Sequence, residues 1–423
     1  MVYVISKDGK PLMPTKRHGK VRRWLRDGKA RVVRRTPFTI KLLFETGDKT
    51  QDLNLGIDPG SKTLGTAVRV NDTKKVVYSS EVKLRTDIKS KMDRRRNYRK
   101  TRRNRKTRHR KCRFLNRTRK EGWLPPSVQS KVDSTKKEIK FIFSFLPISR
   151  VIFEYSKFDI HKLTNKFVKG FWYQLGNLYG WESTKAYVLD RDNYKCQACK
   201  GKSKDKRLQV HHVKYKRNGG TNKPSNLLTL CSTCHKQVHA GLLILTKKQL
   251  QSCKNTKDAT QVSIISKRIW EFLKRGVKIK DFKIVRTYGY MTKVKRRLLK
   301  IKKDHNLDAL ACTYPKKDHY RKGLRKPRIK SNFYTKICVN EGDYRKTMGK
   351  RSEKKMPTGK ILGFRKFDIV RYLGKIYSIK GRMSSGYANL MDKGGKDLKL
   401  RPLPKFDKLI RLQGRSSCIT FQS

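Results

Sequence analysis

Two sets of polar residues, one nested inside the other, constrain how this chain can fold. The inner set is compact, with two Cys-x-x-Cys pairs at 196–199 and 231–234 around 31 residues that include paired histidines. The outer set is widely spaced and consists of three carboxylates and one histidine: Asp58, Glu154, His305 and Asp308. Because the inner set lies between Glu154 and His305, the sequence predicts a small domain inserted into a core that is split along the chain.

The net charge indicates the kind of partner. The chain carries 109 Lys and Arg against 32 Asp and Glu, a formal charge of +77. This exceeds what solubility requires, and nucleic acid is the obvious polyanion to neutralise it. A membrane surface is the alternative, but no amphipathic anchor accompanies the charge. No apolar run reaches the roughly 18 residues that span a bilayer, and residues 1–10 lack an apolar signal region, so we expect a cytoplasmic, prokaryotic protein that joins the nucleoid when it acts.

The most basic segment is 89–120, which holds 18 Lys or Arg and one acid, Asp93. It contains neither Pro nor Gly, so a helix is permitted, but it has almost no apolar stripe that a protein core could order. As a single helix it would be about 48 Å long. We expect phosphates to order this helix, and a solvated or disordered tail is the alternative.

Hydrophobic patterns predict the elements around these sets. Strands are expected at 2–5, 38–44, 53–70, 75–84, 150–155 and 282–285. Helices are expected at 21–26, 132–146 and 261–278, and another continues from Ala309. Beyond residue 330, strand-like segments at 364–372, 375–382 and 387–392 predict a small, twisted antiparallel barrel.

The outer set suits a metal-dependent phosphodiesterase. Asp58 ends an apolar strand beside Gly56 and Gly60, Glu154 ends a second strand, and Asp308 follows His305 by one helical turn. Three carboxylates from distant segments can share two Mg²⁺ ions, one activating water and the other stabilising the leaving oxygen. For any single Asp at a strand end, a turn residue is the alternative interpretation.

The inner set predicts a ββα finger. Four thiolates in two knuckles suit a tetrahedral structural Zn²⁺. A strand at 208–210 leads into His211 and His212, 227–230 forms the return strand, and a helix at 234–241 places His235 and His239 on one face. One His would accept the proton of water while a single Mg²⁺ holds the phosphate. The alternative is a plain zinc finger whose histidines bind phosphate or fill space.

These motifs resemble two nuclease folds. Ile-Asp-Pro-Gly, the strand-end Glu and His-x-x-Asp-Ala resemble the RuvC (ribonuclease H-like) centre, and His-His…Asn…Cys-x-x-Cys-His resembles an HNH nuclease. The HNH insertion, the Arg-rich segment and Pro-Leu-Met-Pro at 11–14 together resemble the IscB family. These are transposon-encoded RNA-guided DNA endonucleases related to the CRISPR type II effectors. The resemblance covers most of residues 1–315, whereas 330–423 matches only in general character.

The resemblance implies a role for each motif residue. Asp58, Glu154, His305 and Asp308 would be the RuvC catalytic set, with the three carboxylates holding two Mg²⁺. His212 would be the HNH base, His211 and His235 would hold one Mg²⁺, and Asn226 would hold the base-bearing loop. Adjacent strand residues point to opposite faces, so the sequence leaves open which of His211 and His212 is the base. Cys196, Cys199, Cys231 and Cys234 would bind structural Zn²⁺. Six bridge-helix arginines would grip the guide RNA: Arg94, Arg95, Arg96, Arg99, Arg102 and Arg103.

The implied fold is α/β and multidomain. It consists of a split ribonuclease H-like RuvC core with an inserted Arg-rich bridge helix, an inserted ββα HNH zinc-finger-like domain and a small β-rich C-terminal domain. The implied boundaries are 1–50 (PLMP-type domain), 51–85 (RuvC piece I), 86–122 (bridge helix), 123–175 (RuvC piece II), 176–255 (HNH), 256–330 (RuvC piece III) and 331–423 (β-rich domain that contacts RNA or the target-adjacent motif).

The implied function is RNA-guided cleavage of double-stranded DNA. Base pairing with a structured guide RNA would select the target, the HNH centre would cut the guide-paired strand and the RuvC centre the displaced strand. The protein would act as a monomer in a 1:1 ribonucleoprotein. Two alternatives remain: a non-catalytic RNA-binding protein with a zinc knuckle, and an HNH/RuvC nuclease that recognises DNA without a guide RNA.

Overall fold

The computed structural model describes residues 1–47, 49–104, 119–164, 166–173, 178–218, 220–246, 256–276, 282–314, 333–339, 360–392, 395–415 and 417–422. The chain divides into two compact units, a core unit of Met1–Lys157 with Gln261–Ser423 and an inserted unit of Phe158–Thr260. The chain thus leaves the core and returns to it, as the nested motifs predicted. Among the described residues, no helix is both long and apolar enough to cross a membrane.

The described residues form nine α-helices. They are α1 His18–Arg26, α2 Ile88–Arg103, α3 Pro126–Phe143, α4 Ile160–Thr164, α5 Thr184–Arg191, α6 Ser232–His239, α7 Lys257–Lys274, α8 Gly289–Leu298 and α9 His305–Cys312. The described strands are β1 Val2–Ile5, β2 Pro11–Thr15, β3 Ala30–Arg34, β4 Thr39–Leu42, β5 Leu53–Pro59, β6 Thr63–Val70, β7 Val76–Lys83, β8 Ile148–Glu154, β9 Leu208–His212, β10 Leu227–Cys231, β11 Lys283–Thr287, β12 Phe333–Cys338, β13 Ile369–Tyr372, β14 Lys375–Arg382, β15 Ala388–Met391, β16 Ile410–Gln413 and β17 Cys418–Gln422. The prediction of a mixed α/β chain with several domains is confirmed.

The N-terminal part of the core unit is a four-stranded sheet in the order β2-β1-β4-β3. Val21 of α1 packs with Val4 and Ile40 in its small hydrophobic core. The strands at 2–5 and 38–44 and the helix at 21–26 were predicted, whereas β2 and β3 were not. β2 contains two prolines, which argue against a strand at the level of sequence because proline has no N–H to donate. The structure tolerates them because β2 lies at the sheet edge.

The centre of the core unit is a seven-stranded mixed sheet in the order β11-β8-β5-β6-β7-β12-β17. Strands β5, β6 and β7 are antiparallel, and β8 and β11 run parallel to β5. Side chains alternate between the two faces of each strand. On one face, Leu55 and Phe153 pack with α3 and α7 through buried residues such as Ile139 and Ile269. On the other face, Ala67 packs with α9.

The strands at the two ends of the predicted 331–423 domain belong to this central sheet. β12 pairs with β7 in parallel and β17 pairs with β12 in antiparallel orientation. The predicted 331–423 domain is therefore joined to the central sheet at both ends, and the described strands between β12 and β17 form a sheet of their own. A buried ion pair explains why β12 joins the core: Lys336 Nζ contacts Glu138 Oε2 of α3 at 2.7 Å.

The remaining C-terminal strands form a separate antiparallel sheet in the order β15-β14-β13-β16. Val370, Ile379, Leu390 and Phe406 are buried in its core. The strand predicted at 375–382 is confirmed as β14. The predicted barrel is not closed within the described residues, because the sheet keeps β15 and β16 as two edges. Strand alternation reveals strands but carries no information about closure.

The basic segment begins as the predicted helix. Residues 88–103 form α2, which has no buried residue. It begins after Asp87, whose carboxylate makes no capping hydrogen bond and instead accepts hydrogen bonds from Arg85 at 3.0 and 3.1 Å. The helix ends at Arg103 with Asn104 as its C-cap, and Arg119 and Lys120 are not helical. The predicted helix is therefore confirmed only as far as Arg103, and residues 105–118 lie outside the described part of the chain.

Candidate functional site

The first candidate site lies at one edge of the central sheet, at the carboxyl ends of two neighbouring parallel strands. Asp58 is the penultimate residue of β5 and Glu154 is the last residue of β8. Ile57 is opposite Phe153 in the strand register, so Asp58 and Glu154 lie side by side. Both point to the face that α9 covers, because they alternate with core residues. We call Asp58, Glu154, His305 and Asp308 the carboxylate centre.

Glycines allow α9 to lie directly on the sheet. A Cβ built on Gly56 would lie 1.9 Å from the carbonyl oxygen of Ala309, and one on Gly65 would lie 1.9 Å from that of His305. No larger residue fits at either position without moving the helix. The Gly residues beside Asp58 therefore do more than form a turn, because they let α9 bring His305 and Asp308 to the strand ends.

Each member of the carboxylate centre has a specific partner. His305 Nδ1 lies 2.6 Å from Asp58 Oδ2. Thr292 Oγ1 donates to Glu154 Oε2 at 2.6 Å. Arg296 Nη1 donates to both oxygens of Asp308 at 2.6 and 2.9 Å. The structure therefore brings together all four predicted residues and surrounds them with donors.

The electrostatics of this centre favour a cation. Burial, together with the negative charges of Asp58 and Asp308, raises the pKa of Glu154 to about 7. Burial also raises the pKa of Asp308, against the opposing effect of Arg296. The hydrogen bond with Asp58 raises the pKa of His305. Carboxylates whose charges oppose one another in a partly buried site are stabilised by a positive charge placed between them.

Two residues of this centre were missed at the sequence level. Thr292 and Arg296 both lie on α8, a helix that was not predicted. The residues that α8 buries are Thr292 and Lys295, whereas its apolar residues Val294 and Leu298 are exposed, so the helix has no apolar face toward the core that a hydrophobic pattern could reveal. The sequence offered one signal for cationic residues here, because three of the four residues that follow Thr292 are Lys or Arg. The separation of Arg296 and Asp308 along the chain does not indicate that the two side chains meet.

The second candidate site is in the inserted unit and contains the four predicted cysteines. Their Sγ atoms all lie within 4.8 Å of one another. Cys231 ends β10, and its Sγ accepts a hydrogen bond from the Cys234 N–H at the start of α6. Burial acts to raise the pKa of Cys199, but hydrogen bonds from Ser203 and the backbone outweigh it and lower that pKa to about 6. Four thiols gathered in this way fit a structural Zn²⁺ site.

A histidine cluster lies on the hairpin and helix of the same unit. The ring nitrogens of His211, His235 and His239 lie within 4.8 Å of one another. Burial and the neighbouring histidines lower the pKa of His211 to about 4, which keeps it neutral. Its Nδ1 is buried and has no hydrogen-bond partner within the described part of the chain. A neutral imidazole with an unused buried nitrogen fits a metal ligand.

The cluster contains one residue beyond the predicted pair. His239 was placed on the face of His235 but not among the ligands, although its ring lies 4.5 Å from that of His235. Tyr215 stacks on His239 at 5.2 Å and 16°. Tyr215 lies in the loop after β9, so this stacking joins that loop to the cluster.

The strand alternation separates the paired histidines. His211 is 2 % exposed and faces the cluster, whereas His212 is half-exposed and its Nε2 lies 2.9 Å from Asn222 Oδ1. His211 pairs with Leu228 and His212 with Leu227 across the β9–β10 hairpin. The two residues therefore have different environments, and His212 alone is open to solvent.

Hydrogen bonds from the Asn226 side chain stabilise the loop that follows His212. Its Nδ2 donates to the carbonyl oxygens of Lys214 and Thr221 at 3.0 and 2.8 Å, and its Oδ1 accepts from the Lys214 N–H at 3.0 Å. Gly220 passes so close that a Cβ there would lie 1.7 Å from the Lys214 carbonyl oxygen.

The six predicted bridge-helix arginines lie on α2. Five of them are exposed and Arg103 is half-exposed. At about 100° per residue they spread over roughly 200° of the helix circumference, which is wider than a single face and suits contacts with several phosphates.

Comparisons with known proteins match two stretches of the chain to protein families. Residues 2–176 match the RRXRR protein family, and residues 196–241 match the HNH endonuclease family. These matches confirm the family resemblance as an RRXRR region joined to an HNH endonuclease domain, which is consistent with an IscB-like nuclease. The comparison with curated proteins gives no match.

Solved structures of Streptococcus thermophilus Cas9 are also similar. The complex with the GGAA PAM is 11 % identical with a TM-score of 0.32, covering 64 % of this chain and 32 % of that one. The complex with the AGAA PAM is 12 % identical with a TM-score of 0.31, covering 63 % and 32 %. The chain thus spans about a third of the length of these proteins, and at such TM-scores the likeness does not define its fold.

Proposed function

We propose that this chain, which joins an RRXRR region to an HNH endonuclease domain, is an RNA-guided endonuclease that cuts both strands of a DNA duplex. The observation that carries the proposal is the presence of two different candidate centres, one in each unit. The carboxylate centre lies in the core unit, and the histidine cluster with His212 lies in the inserted unit. A nuclease that cuts only one strand needs only one of them.

The central sheet supports a split RuvC core. The three predicted pieces supply β5 to β7, then α3 with β8, and finally α7 with β11, α8 and α9. All these strands belong to one sheet although the inserted unit separates β8 from β11. The carboxylates that converge on its edge would hold two Mg²⁺, which when bound activate water and stabilise the leaving oxygen.

His305 is placed to move a proton at the carboxylate centre. Its Nδ1 is engaged with Asp58, so its Nε2 is the nitrogen left to exchange a proton with water or the leaving oxygen. Arg296 holds Asp308 in the present arrangement. Its planar guanidinium would also suit bidentate contact with a phosphate bound at this centre.

His212 fits the HNH general base better than His211. Asn222 Oδ1 is an acceptor, so the His212 Nε2 that contacts it carries the proton. Nδ1 is then left to accept a proton from water, and Asn226 holds the adjoining loop in place. His211 is buried against His235 and His239, which suits a ligand and not a base exposed to solvent.

The donor atoms of the histidine cluster do not favour the Mg²⁺ that the resemblance implied for the HNH centre. The three residues that would hold it, His211, His235 and His239, offer nitrogen donors only. Mg²⁺ prefers oxygen ligands and several waters, whereas imidazole suits Zn²⁺, Cu²⁺, Fe²⁺ and Ni²⁺. We therefore expect the histidine cluster to bind such first-row ions more tightly than the Mg²⁺ that the resemblance implied.

A structured RNA accounts for the charge. The helix α2 exposes its arginines without packing against a core, and +77 exceeds what a short target duplex would neutralise. In the proposed reaction the RNA selects the target by base pairing, the HNH centre cuts the guide-paired strand and the RuvC centre cuts the displaced strand.

The first experiment is to express the chain with its native flanking DNA and sequence the RNA that copurifies. The expected result is one discrete structured RNA, with a segment that directs cleavage of a matching duplex and not of a scrambled one. A smear of cellular RNA, or cleavage that survives RNase treatment, would contradict RNA guidance and favour a nuclease that recognises DNA alone. Absence of any Mg²⁺- or Mn²⁺-dependent cleavage would favour a non-catalytic RNA-binding protein.

A further inference from the structure

Two tyrosines form an exposed aromatic surface at the junction of β11 and α8. Tyr288 and Tyr290 flank Gly289, and their rings are nearly parallel, with an interplanar angle of 7° and 6.1 Å between centroids. Tyr288 is 40 % exposed and Tyr290 is 70 % exposed. Both residues are thus open to solvent over a large part of their surface and can accept a stacking partner. We call these two residues the tyrosine pair.

The tyrosine pair borders the carboxylate centre. Thr287, immediately before it, is opposite Glu154 in the strand register, and the Tyr155 N–H donates to the Thr287 carbonyl oxygen at 2.8 Å. A Cβ built on Gly289 would lie 3.1 Å from Glu154 Oε1. The backbone between the two rings therefore touches one of the carboxylates that would hold the metal ions.

The solvent-facing side of α8 continues this surface with positive charge. Lys293 and Arg297 are exposed and follow Tyr290 at three and seven residues, on the same side of the helix. No acidic residue occurs from 288 to 303. The opposite side of α8 contacts the site itself, through Thr292 to Glu154 and Arg296 to Asp308.

We propose that the tyrosine pair, together with Lys293 and Arg297, binds the single-stranded DNA that the carboxylate centre cuts. Unpaired bases expose the faces that stack on aromatic rings, whereas a duplex hides them, and the phosphates between the bases meet the two cations. The tyrosine pair positions the strand and takes no part in proton transfer. The inference rests on the proposed function, since it assigns a substrate contact to the proposed RuvC centre.

The rival occupant is a protein surface. Val294 and Leu298 are exposed at 45 and 41 % and follow Tyr290 at four and eight residues, which gives α8 a partly apolar stripe. We favour DNA because cations alternate with these residues and because the rings are parallel rather than packed edge to face. The two occupants predict different effects of the same substitutions.

The test uses the ribonucleoprotein and a target duplex whose displaced strand carries 5-iododeoxyuridine at successive positions. Ca²⁺ replaces Mg²⁺ so that the strand is bound and not cut, and the photo-crosslinked peptide is identified by mass spectrometry. We expect a crosslink to the peptide that contains Tyr288 and Tyr290 at one or two positions of the displaced strand. Y288A and Y290A should lose it, whereas Y288F and Y290F, which keep the ring, should retain it.

Cleavage is measured on the same variants with Mg²⁺ and both strands labelled. Y290A should slow displaced-strand cleavage about tenfold, the size of one lost base–aromatic stack, while guide-paired cleavage stays within twofold and Y290F cuts like wild type. Unchanged crosslinking and rates in both alanine variants would overturn the proposal. Equal slowing of both strands would also overturn it, because it would indicate a protein contact.

A guide-free arm separates this proposal from the proposed function. Should the wild-type ribonucleoprotein cut neither strand, the proposed function fails, and the full chain is then crosslinked to an iodinated single-stranded oligonucleotide at raised salt. A crosslink at the tyrosine pair that Y288A and Y290A remove would still support a single-strand site. Its absence from that peptide would overturn the site as well.

Discussion

Replacing Gly65 with alanine should disable one nuclease centre and spare the other. A Cβ on Gly65 would lie 1.9 Å from the His305 carbonyl oxygen and 2.1 Å from its carbonyl carbon. Cβ contacts below 3.0 Å are essentially not observed, so the start of α9 would have to move away by about 1 Å. Both atoms belong to the backbone, and no side chain can rotate to relieve the contact.

This displacement acts directly on His305 and its 2.6 Å contact with Asp58. A misplacement of about 1 Å in a catalytic group can cost on the order of 100-fold in rate, and overpacking costs about 1–3 kcal/mol of stability. We therefore expect Gly65→Ala to slow displaced-strand cleavage roughly 100-fold and to leave guide-paired cleavage near wild type, since the inserted unit has its own core around Leu228 and Leu230.

The assay is single-turnover cleavage with a different label on each strand, together with thermal unfolding. Gly19→Ala is the matched control, because a Cβ on Gly19 meets no atom within 4 Å. The reasoning is refuted if Gly65→Ala cuts the displaced strand within threefold of wild type. Equal loss on both strands with an unchanged melting temperature would also refute it, because the centres would then not be independent.

Three further predictions concern the two units. Cys196→Ser should lower the zinc content from about one ion per chain, measured by atomic emission, and make the inserted unit sensitive to protease; full zinc content would contradict the Cys cluster as the site. Asn226→Ala removes three hydrogen bonds worth about 1 kcal/mol each, so guide-paired cleavage should fall at least tenfold while displaced-strand cleavage persists; loss on both strands would argue against a local effect. Glu138→Ala leaves Lys336 buried and unpaired, which should cost about 3–5 kcal/mol in denaturant unfolding; adding Lys336→Met should recover part of this loss, and a purely additive double variant would contradict the pairing.

The carboxylate centre could be predicted from sequence because each member interrupts a recognisable pattern. Asp58 and Glu154 end apolar strands, and they meet because β5 and β8 are neighbouring parallel strands whose carboxyl ends lie together. The contacts of Arg296 could not be predicted, since its helix α8 shows no apolar stripe toward the core. Its partner Asp308 was identified, but nothing in the sequence shows which cation approaches that carboxylate.

The positions of β12 and β17 in the central sheet could not be predicted for a different reason. Cys338 and Cys418 are opposite each other in the sheet although eighty residues separate them, and local patterns do not report such pairings. Lys336 is 2 % exposed, whereas a lysine in a strand normally indicates a solvent face. Its burial depends on Glu138, which lies on a helix far away in sequence, so the pairing of β12 with the central sheet could not be predicted.

The histidine cluster was predicted in part. The ββα pattern located His211, His212 and His235, and strand alternation separated the first two. His239 was recognised as sharing a face with His235, but its membership of the cluster depends on the packing of Tyr215 against its ring. That contact joins a loop to a helix, and the sequence alone does not specify it.

Strand-resolved cleavage by two single variants tests the central proposal most directly. Asp58→Ala and His212→Ala are each assembled with the guide RNA and given a matching duplex labelled on both strands, in Mg²⁺ and in Mn²⁺. Asp58→Ala should nick only the guide-paired strand, and His212→Ala should nick only the displaced strand. A double-strand break by either variant, or loss of both cuts in both variants, would contradict two centres that each cut one strand.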